Sequence, residues 1–228
     1  MELVFIRHGQ SEWNAKNLFT GWRDVKLSEQ GLAEAAAAGK KLKEKGYEFD
    51  IAFTSVLTRA IKTCNIVLEE SDQLFVPQIK SWRLNERHYG ALSGLNKKET
   101  AEKYGDDQVH IWRRSFDVRP PMMEDNNPYS ARKNPAYRDV PVEDVPMCES
   151  LKDTIARTVP YFENEIKPLV MEGKRVFIAA HGNSLRSLIK YFENISDEEI
   201  INVEIPTGTP LVYEFDDDFK VINKYYLK

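Results

Sequence analysis

The stretch MELVFIRHGQ at residues 1–10 has a counterpart in RVFIAAHGNS at residues 175–184. In each, a short apolar run leads directly into a histidine and a glycine: Leu3 to Ile6 precedes His8, and Val176 to Ala180 precedes His181. Short apolar runs of this kind are typical of strands buried on both faces of a parallel sheet. The carboxyl ends of such strands meet at one edge, where ligands bind. We therefore expect His8 and His181 to lie close together.

Strand and helix patterns alternate along the rest of the chain, as in a layered α/β fold. Pro160 and Pro168 should kink or split the longest helical pattern, and Ser196 with Glu199 predicts a capped short helix. Together with the two runs above, we predict strands at 51–54, 76–82, 211–215 and 219–226, and helices at 28–46, 57–69, 97–104, 109–116, 149–172 and 184–192. The predicted fold is a three-layer α/β structure, with a mostly parallel sheet and helices on both faces.

Residues 117–146 interrupt this alternation. They hold six of the eleven prolines, many charges and no clear periodicity. A loop of this length in a compact domain is usually functional or disordered. We expect residues 1–228 to form one domain, with this Pro-rich segment as an excursion over its surface.

Composition excludes several classes of protein. The formal net charge is −4, so the basic excess of a nucleic-acid-binding protein is missing. No apolar run is long enough for a secretory signal or a membrane span, which predicts no membrane partner. Cys64 and Cys148 are far apart and indicate a reducing compartment. We expect a cytoplasmic protein.

Four polar residues should converge at the carboxyl edge of the sheet. His8 and His181 follow strands, Arg59 opens the helix after the second strand, and Glu86 follows the third. Each alone has an ordinary structural explanation: a hydrogen-bonded histidine, an arginine covering a helix, a solvated carboxylate. Their convergence favours a functional site.

The residue types suit phosphoryl transfer. Arginine presents a planar fork that matches phosphate oxygens, and the helix start near Gly182 and Asn183 offers free backbone N–H groups. A neutral His8 can attack phosphorus and become phosphohistidine, while a protonated His181 stabilises the transition state. Glu86 is the candidate proton shuttle. No P-loop, GxGxxG, HExxH or Cys/His ligand spacing occurs, so neither a nucleotide nor a metal is expected.

Several longer motifs resemble one family. RHGQSEWN at 7–14 and AAHGNSLR at 179–186 are similar to the two histidine motifs of the histidine phosphatase superfamily. The more specific strings resemble its cofactor-dependent phosphoglycerate mutases: FTGW at 19–22, LNERHYGALSGLNK at 84–97, WRRSFDVRPP at 112–121 and IPTGTPLVYEF at 205–215. The resemblance spans nearly the whole chain and implies a phosphoglycerate mutase-like fold.

The resemblance also implies an activity, namely interconversion of 3-phosphoglycerate and 2-phosphoglycerate in glycolysis and gluconeogenesis. His8 would carry the phosphoryl group, primed by 2,3-bisphosphoglycerate without a metal, with Arg7, Arg59 and His181 holding that group and Glu86 as acid and base. The implied substrate-binding residues are Ser11, Asn14, Thr20, Gly21, Arg87, Tyr89, Lys97, Arg113, Arg114, Gly182 and Asn183. Homodimers and homotetramers are common in the family.

Two departures and two alternatives remain. Cys148-Glu149-Ser150 stands where the family usually has Thr-Glu-Ser, and no tail follows the last strand before Lys228. Any closure that such a tail provides is therefore either absent here or supplied by the 117–146 segment. A phosphatase that releases phosphate to water could use the same histidines, and a phosphate-binding module would need neither His8 nor Glu86. Lys97, Arg113 and Arg114 favour the mutase, because they can hold the far end of a small phosphorylated acid.

Overall fold

A six-stranded mixed sheet forms the centre of the protein, in a computed structural model that describes residues 1–228. The strands are β1 (Glu2–Arg7), β2 (Ile51–Thr54), β3 (Gln78–Lys80), β4 (Val176–Ala180), β5 (Leu211–Phe215) and β6 (Val221–Tyr226). Their order in space is β3-β2-β4-β1-β5-β6. The first four of these run parallel, and β5 and β6 run antiparallel to their neighbours. The predicted, mostly parallel sheet is confirmed.

Eight α-helices surround the sheet. They are α1 (Glu12–Ala15), α2 (Glu29–Glu44), α3 (Thr58–Glu70), α4 (Lys97–Tyr104), α5 (Asp106–Arg114), α6 (Leu151–Tyr161), α7 (Lys167–Met171) and α8 (Gly182–Glu193). A π-helix at Phe162–Ile166 joins α6 to α7. The expected interruption of the long helical pattern therefore takes this form, with Pro160 in the last turn of α6 and Pro168 in the first turn of α7.

Successive residues of the central strands point to opposite faces of the sheet. In β1, Leu3 and Phe5 belong to a buried cluster with the π-helix, α7 and α8, whereas Val4 and Ile6 belong to one with α2 and α3. Residues of β4 alternate between the same two clusters, and all of them are buried. Strands covered on both sides must be apolar throughout, which is why these runs show no polar alternation. The three-layer prediction is confirmed.

Several predicted boundaries were wrong for identifiable reasons. The third strand is only Gln78–Lys80, because Pro77 before it lacks an N–H group for the ladder, and Trp82–Leu84 turns into a 3₁₀-helix. β6 begins at Val221 rather than Phe219, since Phe219 has a φ of 60° and lies in the turn. α5 begins three residues early, at Asp106, directly after Gly105, whose φ is 90°. The short helix α1 was missed.

The sheet brings both histidine motifs to one edge. β1 and β4 are parallel neighbours, with Arg7 opposite Ala180, so His8 and His181 leave the sheet side by side. The segment before β5 reaches the same edge, where Gly208 donates its N–H to the carbonyl of Arg7. The catalytic candidates thus lie at the carboxyl end of the parallel strands, as α/β folds place their ligands.

Residues 117–146 form an irregular but packed segment with three 3₁₀ turns. Ala131, Tyr137 and Val145 form a small buried cluster with Trp22, which lies next to the cleft residues Thr20 and Gly21. Arg119 pairs with Asp153 at the start of α6. The segment is therefore anchored to the body of the protein. None of the helices combines the length and apolar character needed to cross a membrane.

Candidate active site

A cleft of about 660 Å³ opens at the carboxyl edge of the sheet. Its lining contains six cationic side chains and one carboxylate, that of Glu86. The lining residues are Arg7, His8, Asn14, Leu18, Thr20, Gly21, Arg59, Glu86, Tyr89, Lys97, Arg113, Arg114, Gly182, Asn183, Arg186 and Ile205. So strong a positive excess in a protein of net charge −4 suits a small ligand with several negative charges.

His8 is held as a neutral nucleophile. Its Nδ1 lies 2.6 Å from the carbonyl oxygen of Gly9, and a carbonyl can only accept, so Nδ1 carries the proton. Nε2 therefore has the free lone pair, toward which Arg59 Nε donates over 3.3 Å. Burial lowers the pKa of His8 well below its usual range, and Arg59 and Arg7 lower it further. A neutral imidazole with Nε2 unprotonated can attack phosphorus.

The tautomer of His8 depends on a close backbone contact. Gly9 donates its N–H to Thr63 Oγ1 and packs against Gly31 at the start of α2. A Cβ on Gly9 would lie 2.2 Å from the carbonyl oxygen of Gly31, and one on Gly31 would lie 2.0 Å from that of Gln10. Only glycine fits at either position, and the pair fixes the carbonyl that orients His8.

His181 lies directly beside His8, with ring centroids 4.9 Å apart. Its Nε2 is 2.7 Å from Ser55 Oγ, and its buried Nδ1 has no partner in the protein. Burial lowers the pKa of His181 well below its usual range, and the charge of Arg59 lowers it further. The ring is therefore neutral without an anion. That a phosphate protonates it stays a prediction.

Arg7 and Arg59 supply the positive charge next to His8. His8, His181, Arg7 and Arg59 are together called the reaction end. Arg59 is buried in the first turn of α3 and donates to the carbonyls of Arg23 and Gly21, at 2.9 and 2.7 Å. Burial lowers its pKa to about 10, so it remains a cation at neutral pH. Arg7 donates one N–H to the carbonyl of Ile205, while its buried Nε has no partner.

Glu86 provides the one carboxylate of the cleft. Its Oε1 accepts N–H groups from Arg87 at 2.7 Å and from Asn183 at 3.1 Å. A Cβ on Gly182 would lie 3.5 Å from Arg7 Nε and 3.7 Å from Glu86 Oε2, so Gly182 lies close to both charged groups. Two backbone donors hold Oε1, and Oε2 is the oxygen left for a ligand. A carboxylate held in this way can give and take a proton.

Lys97, Arg113 and Arg114 line the same cleft from two helices that carry none of the reaction-end residues, and they are called the distal end. Lys97 is the first residue of α4, and both arginines end α5. Lys97 and Arg113 make no hydrogen bond or ion pair through their side chains, and Arg114 pairs with the exposed Glu204 at 2.7 Å. Burial, followed by the charge of Arg113, lowers the pKa of Lys97 to about 8. These cations are available to a second anionic group.

Most of the predicted site residues line the cleft; the exceptions are Ser11, Arg87 and His181. Ser11 is buried as the N-cap of α1, where its hydroxyl accepts the N–H of Asn14. Arg87 is buried against the carbonyls of Glu149 and Val118. His181 lies behind His8, in contact with its ring. Asn14, Thr20, Gly21 and Tyr89 are among the lining residues.

Arg186 was missed by the sequence reasoning, although it ends the quoted motif AAHGNSLR. It is buried in α8 and donates to Asn183 Oδ1 at 2.8 Å and to the carbonyl of Ile200 at 2.6 Å. The signal was its position three residues after Asn183, which places both on one helix face. Leu18 and Ile205, also missed, add apolar surface, and no polar pattern marks them.

Comparison with known proteins assigns the sequence to one group. The family model of the histidine phosphatase superfamily (branch 1) matches residues 3–143. A protein of Neisseria gonorrhoeae named 2,3-bisphosphoglycerate-dependent phosphoglycerate mutase is 72% identical over 227 residues, covering 100% of both chains. A protein of the same name from Pasteurella multocida is 65% identical over the same span.

Solved structures show the same architecture at much lower identity. A mycobacterial glucosyl-3-phosphoglycerate phosphatase has a TM-score of 0.70 at 21% identity, covering 99% of this chain and 96% of the other. A likeness at this identity concerns the fold alone.

Proposed function

Since the chain belongs to the 2,3-bisphosphoglycerate-dependent phosphoglycerate mutases of the histidine phosphatase superfamily, we propose that it interconverts 3-phosphoglycerate and 2-phosphoglycerate through a phosphohistidine on His8. The observation that carries the proposal is that one cleft holds the reaction end together with the three cations of the distal end. A ligand with a phosphate at each end matches this distribution. A single phosphate would need only the reaction end.

The residues present fit 2,3-bisphosphoglycerate as the primer. Buried donors without a protein partner occur at Arg7 Nε and Arg186 Nε, and His181 Nδ1 also has none. Buried polar atoms are normally paired, so unpaired ones in a cleft are typical of a site that completes its hydrogen bonds with a ligand. When bound, the primer supplies the phosphoryl group that His8 carries. Arg7 and Arg59 would hold this group, and the distal end would hold the remainder.

His8 acts first in the proposed mechanism. Its Nε2 lone pair attacks phosphorus, while the proton stays on Nδ1, which keeps its hydrogen bond to the carbonyl of Gly9. Arg7 and Arg59 neutralise the charge that spreads over the phosphoryl oxygens in the loose transition state. His181 gains a proton as anionic charge enters the site and then donates from Nδ1, because Ser55 already occupies Nε2.

Glu86 handles the proton of the glycerate hydroxyl. As the phosphoryl group passes to His8, the departing oxygen takes a proton from Glu86, and the reverse transfer returns it. Reorientation of the bound glycerate presents the other hydroxyl to phosphohistidine. Lys97, Arg113 and Arg114 must retain the molecule meanwhile, and this retention separates a mutase from a phosphatase.

We propose four further properties of the protein. It is one domain, because both buried clusters share the same sheet. It is metal-independent, because arginines already supply the charge a metal would provide. Its free cysteines fit the cytoplasm, where it serves glycolysis and gluconeogenesis. It forms a homodimer or homotetramer, since Phe75 and Leu74, exposed by 80% and 56%, precede the edge strand β3.

The test is incubation with 3-phosphoglycerate, with and without trace 2,3-bisphosphoglycerate. We expect 2-phosphoglycerate to form rapidly only when the primer is present, and a strong chelator to leave the rate unchanged. Release of inorganic phosphate without 2-phosphoglycerate would identify a phosphatase instead. A rate lost to the chelator and restored by manganese would refute metal independence.

A further inference from the structure

We propose that Arg157 is a positioning residue for the reaction, acting with Glu149 to fix the loop that carries Glu86. The inference rests on the proposed function, because it needs Glu86 to be the acid and base. Neither residue lines the cleft. Arg157 lies on α6 and Glu149 just before it, and both side chains form hydrogen bonds with the loop formed by residues 83–88.

Arg157 and Glu149 form a buried, two-pronged ion pair. Arg157 Nε donates to Glu149 Oε1 at 2.7 Å, and Nη2 donates to Oε2 at 2.9 Å. The side chains are only 8% and 4% exposed. A buried pair of this kind is often no more stabilising than apolar residues of similar volume. Stability alone is therefore a weak reason for placing two charges here.

The remaining donors of Arg157 all reach the loop. Nη1 donates to the carbonyls of Arg83 at 2.9 Å and Asn85 at 3.0 Å, and Nη2 donates to that of Glu86 at 2.9 Å. With the two bonds to Glu149, all five N–H groups of the guanidinium are used. One cation thus holds the backbone of residues 83–86, which leads up to and includes Glu86.

Glu149 holds the carboxyl side of the same loop. Its Oε2 accepts the N–H of His88 at 2.9 Å, and its backbone carbonyl accepts from Arg87 Nε at 2.8 Å. The Arg87 N–H in turn donates to Glu86 Oε1. The ion pair therefore fixes the chain on both sides of Glu86 and, through Arg87, one of the two donors to its carboxylate.

Displacement of this loop should impair proton transfer more than binding. A misplacement of about 1 Å caused by a remote substitution can cost on the order of 10²-fold in rate. The phosphate-binding arginines lie on β1, α3 and α5, outside the loop. Lysine cannot replace Arg157, because its three donors do not match five acceptors in a planar fork.

The test compares Arg157→Lys with wild type and with Arg119→Lys. Arg119 makes a two-pronged pair with Asp153 on the same helix, with both bonds 2.7 Å long, but it is 59% exposed and does not contact the 83–88 loop. We expect Arg157→Lys to lower kcat on the order of 10²-fold, with the KM for 3-phosphoglycerate changed less than about two-fold. Arg119→Lys should keep the wild-type kcat.

Combination with Glu86→Gln decides whether Arg157 acts through Glu86. If it does, Arg157→Lys lowers kcat in the wild type but has almost no further effect in the Glu86→Gln background, since coupled residues are not additive. If the decreases in kcat caused by the two substitutions multiply in the double variant, the inference about Arg157 is overturned, while the proposed role of Glu86 is unaffected. Wild-type kcat in Glu86→Gln would overturn the proposed role of Glu86 and the inference with it.

Thermal unfolding of each variant separates positioning from loss of folded protein. We expect Arg157→Lys to remain folded at the assay temperature while turning over slowly. If it does not fold, Glu149→Gln takes its place in the same cycle with the same expected non-additivity. Wild-type kcat in a folded Arg157→Lys protein would overturn the inference.

Discussion

The reaction end and the distal end of the cleft are both cationic, yet they are built differently. Arg59, His8 and His181 are buried, and each has at least one hydrogen bond from a defined element. Lys97 and Arg113 are partly exposed and have no side-chain partner. The reaction end is therefore fixed before any ligand binds, whereas the distal side chains retain rotamer freedom.

This difference matches two chemical requirements. In-line attack on phosphorus requires the reacting atoms to be positioned to a fraction of an ångström. Catalytic groups that are already oriented before the reaction supply much of the rate enhancement. A glycerate that presents two different hydroxyls in turn changes its orientation in the cleft. The cationic side chains that bind it must therefore be able to move with it. The fixed arginines of the reaction end suit phosphoryl transfer, and the more mobile cations of the distal end suit retention of the ligand.

The largest effect should come from the reaction end. Replacement of His8 by alanine removes the atom that carries the phosphoryl group. With 2,3-bisphosphoglycerate labelled in its phosphoryl groups, wild type should acquire an acid-labile, base-stable label, and His8→Ala none. Label retained on the variant would place the phosphoryl group elsewhere, and the reaction end would lose its defining role.

The Glu86→Gln variant tests whether the fixed side of the cleft also moves the proton. Glutamine keeps the size and an acceptor oxygen but cannot donate an acidic proton. We expect kcat to fall on the order of 10²–10⁴-fold, with little change in KM, because the proton moves only in the transition state. A raised KM with unchanged kcat would instead make Glu86 a binding residue.

At the distal end, Arg113→Ala combined with Arg114→Ala should separate mutase from hydrolysis. Each lost charge-assisted contact is worth about 1.5–3 kcal/mol, so mutase turnover should fall about 10²-fold or more. Hydrolysis of phosphohistidine should persist or rise, because the reaction end is intact and the ligand escapes. Full mutase activity in the double variant would place the second anion elsewhere.

The smallest effect concerns pH and Lys97. Its lowered pKa of about 8 means that the free enzyme loses this charge as the pH rises through 8. The KM for 3-phosphoglycerate should therefore rise a few-fold above pH 8 and stay flat below it. Arginine remains charged throughout this range, so Lys97→Arg should remove the rise. An identical rise in both proteins would exclude Lys97 as its origin.

Much of this arrangement could be predicted from the sequence because parallel strands obey a simple rule. The apolar runs before His8 and His181 identified two buried strands, and the carboxyl-edge rule placed both rings together. Glu86 and Arg59 followed from the same rule. The distal residues did not: Lys97, Arg113 and Arg114 came from the family resemblance, since no local pattern says where a helix start and a helix end will meet.

Other features depend on tertiary contacts that a local pattern does not contain. Ser11 stands in a histidine motif, yet its hydroxyl serves the backbone of α1, and a serine can do either. The π-helix after Tyr161 keeps the apolar spacing of an ordinary helix. Arg157 and Glu149 are eight residues apart, and their pairing is completed by the 83–88 loop, which supplies three carbonyls to one guanidinium.

The pairing of β1 with β4 has a consequence for how the protein folds. Its register joins Arg7 to Ala180, near opposite ends of the chain. Contacts so distant in sequence form slowly and late, after loop-closure entropy has been overcome. A chain still emerging from the ribosome therefore contains His8 before β4 is available to pair with β1. Capacity to accept a phosphoryl group at His8 is thus acquired in one of the last folding steps, and labelling kinetics during refolding would time that step.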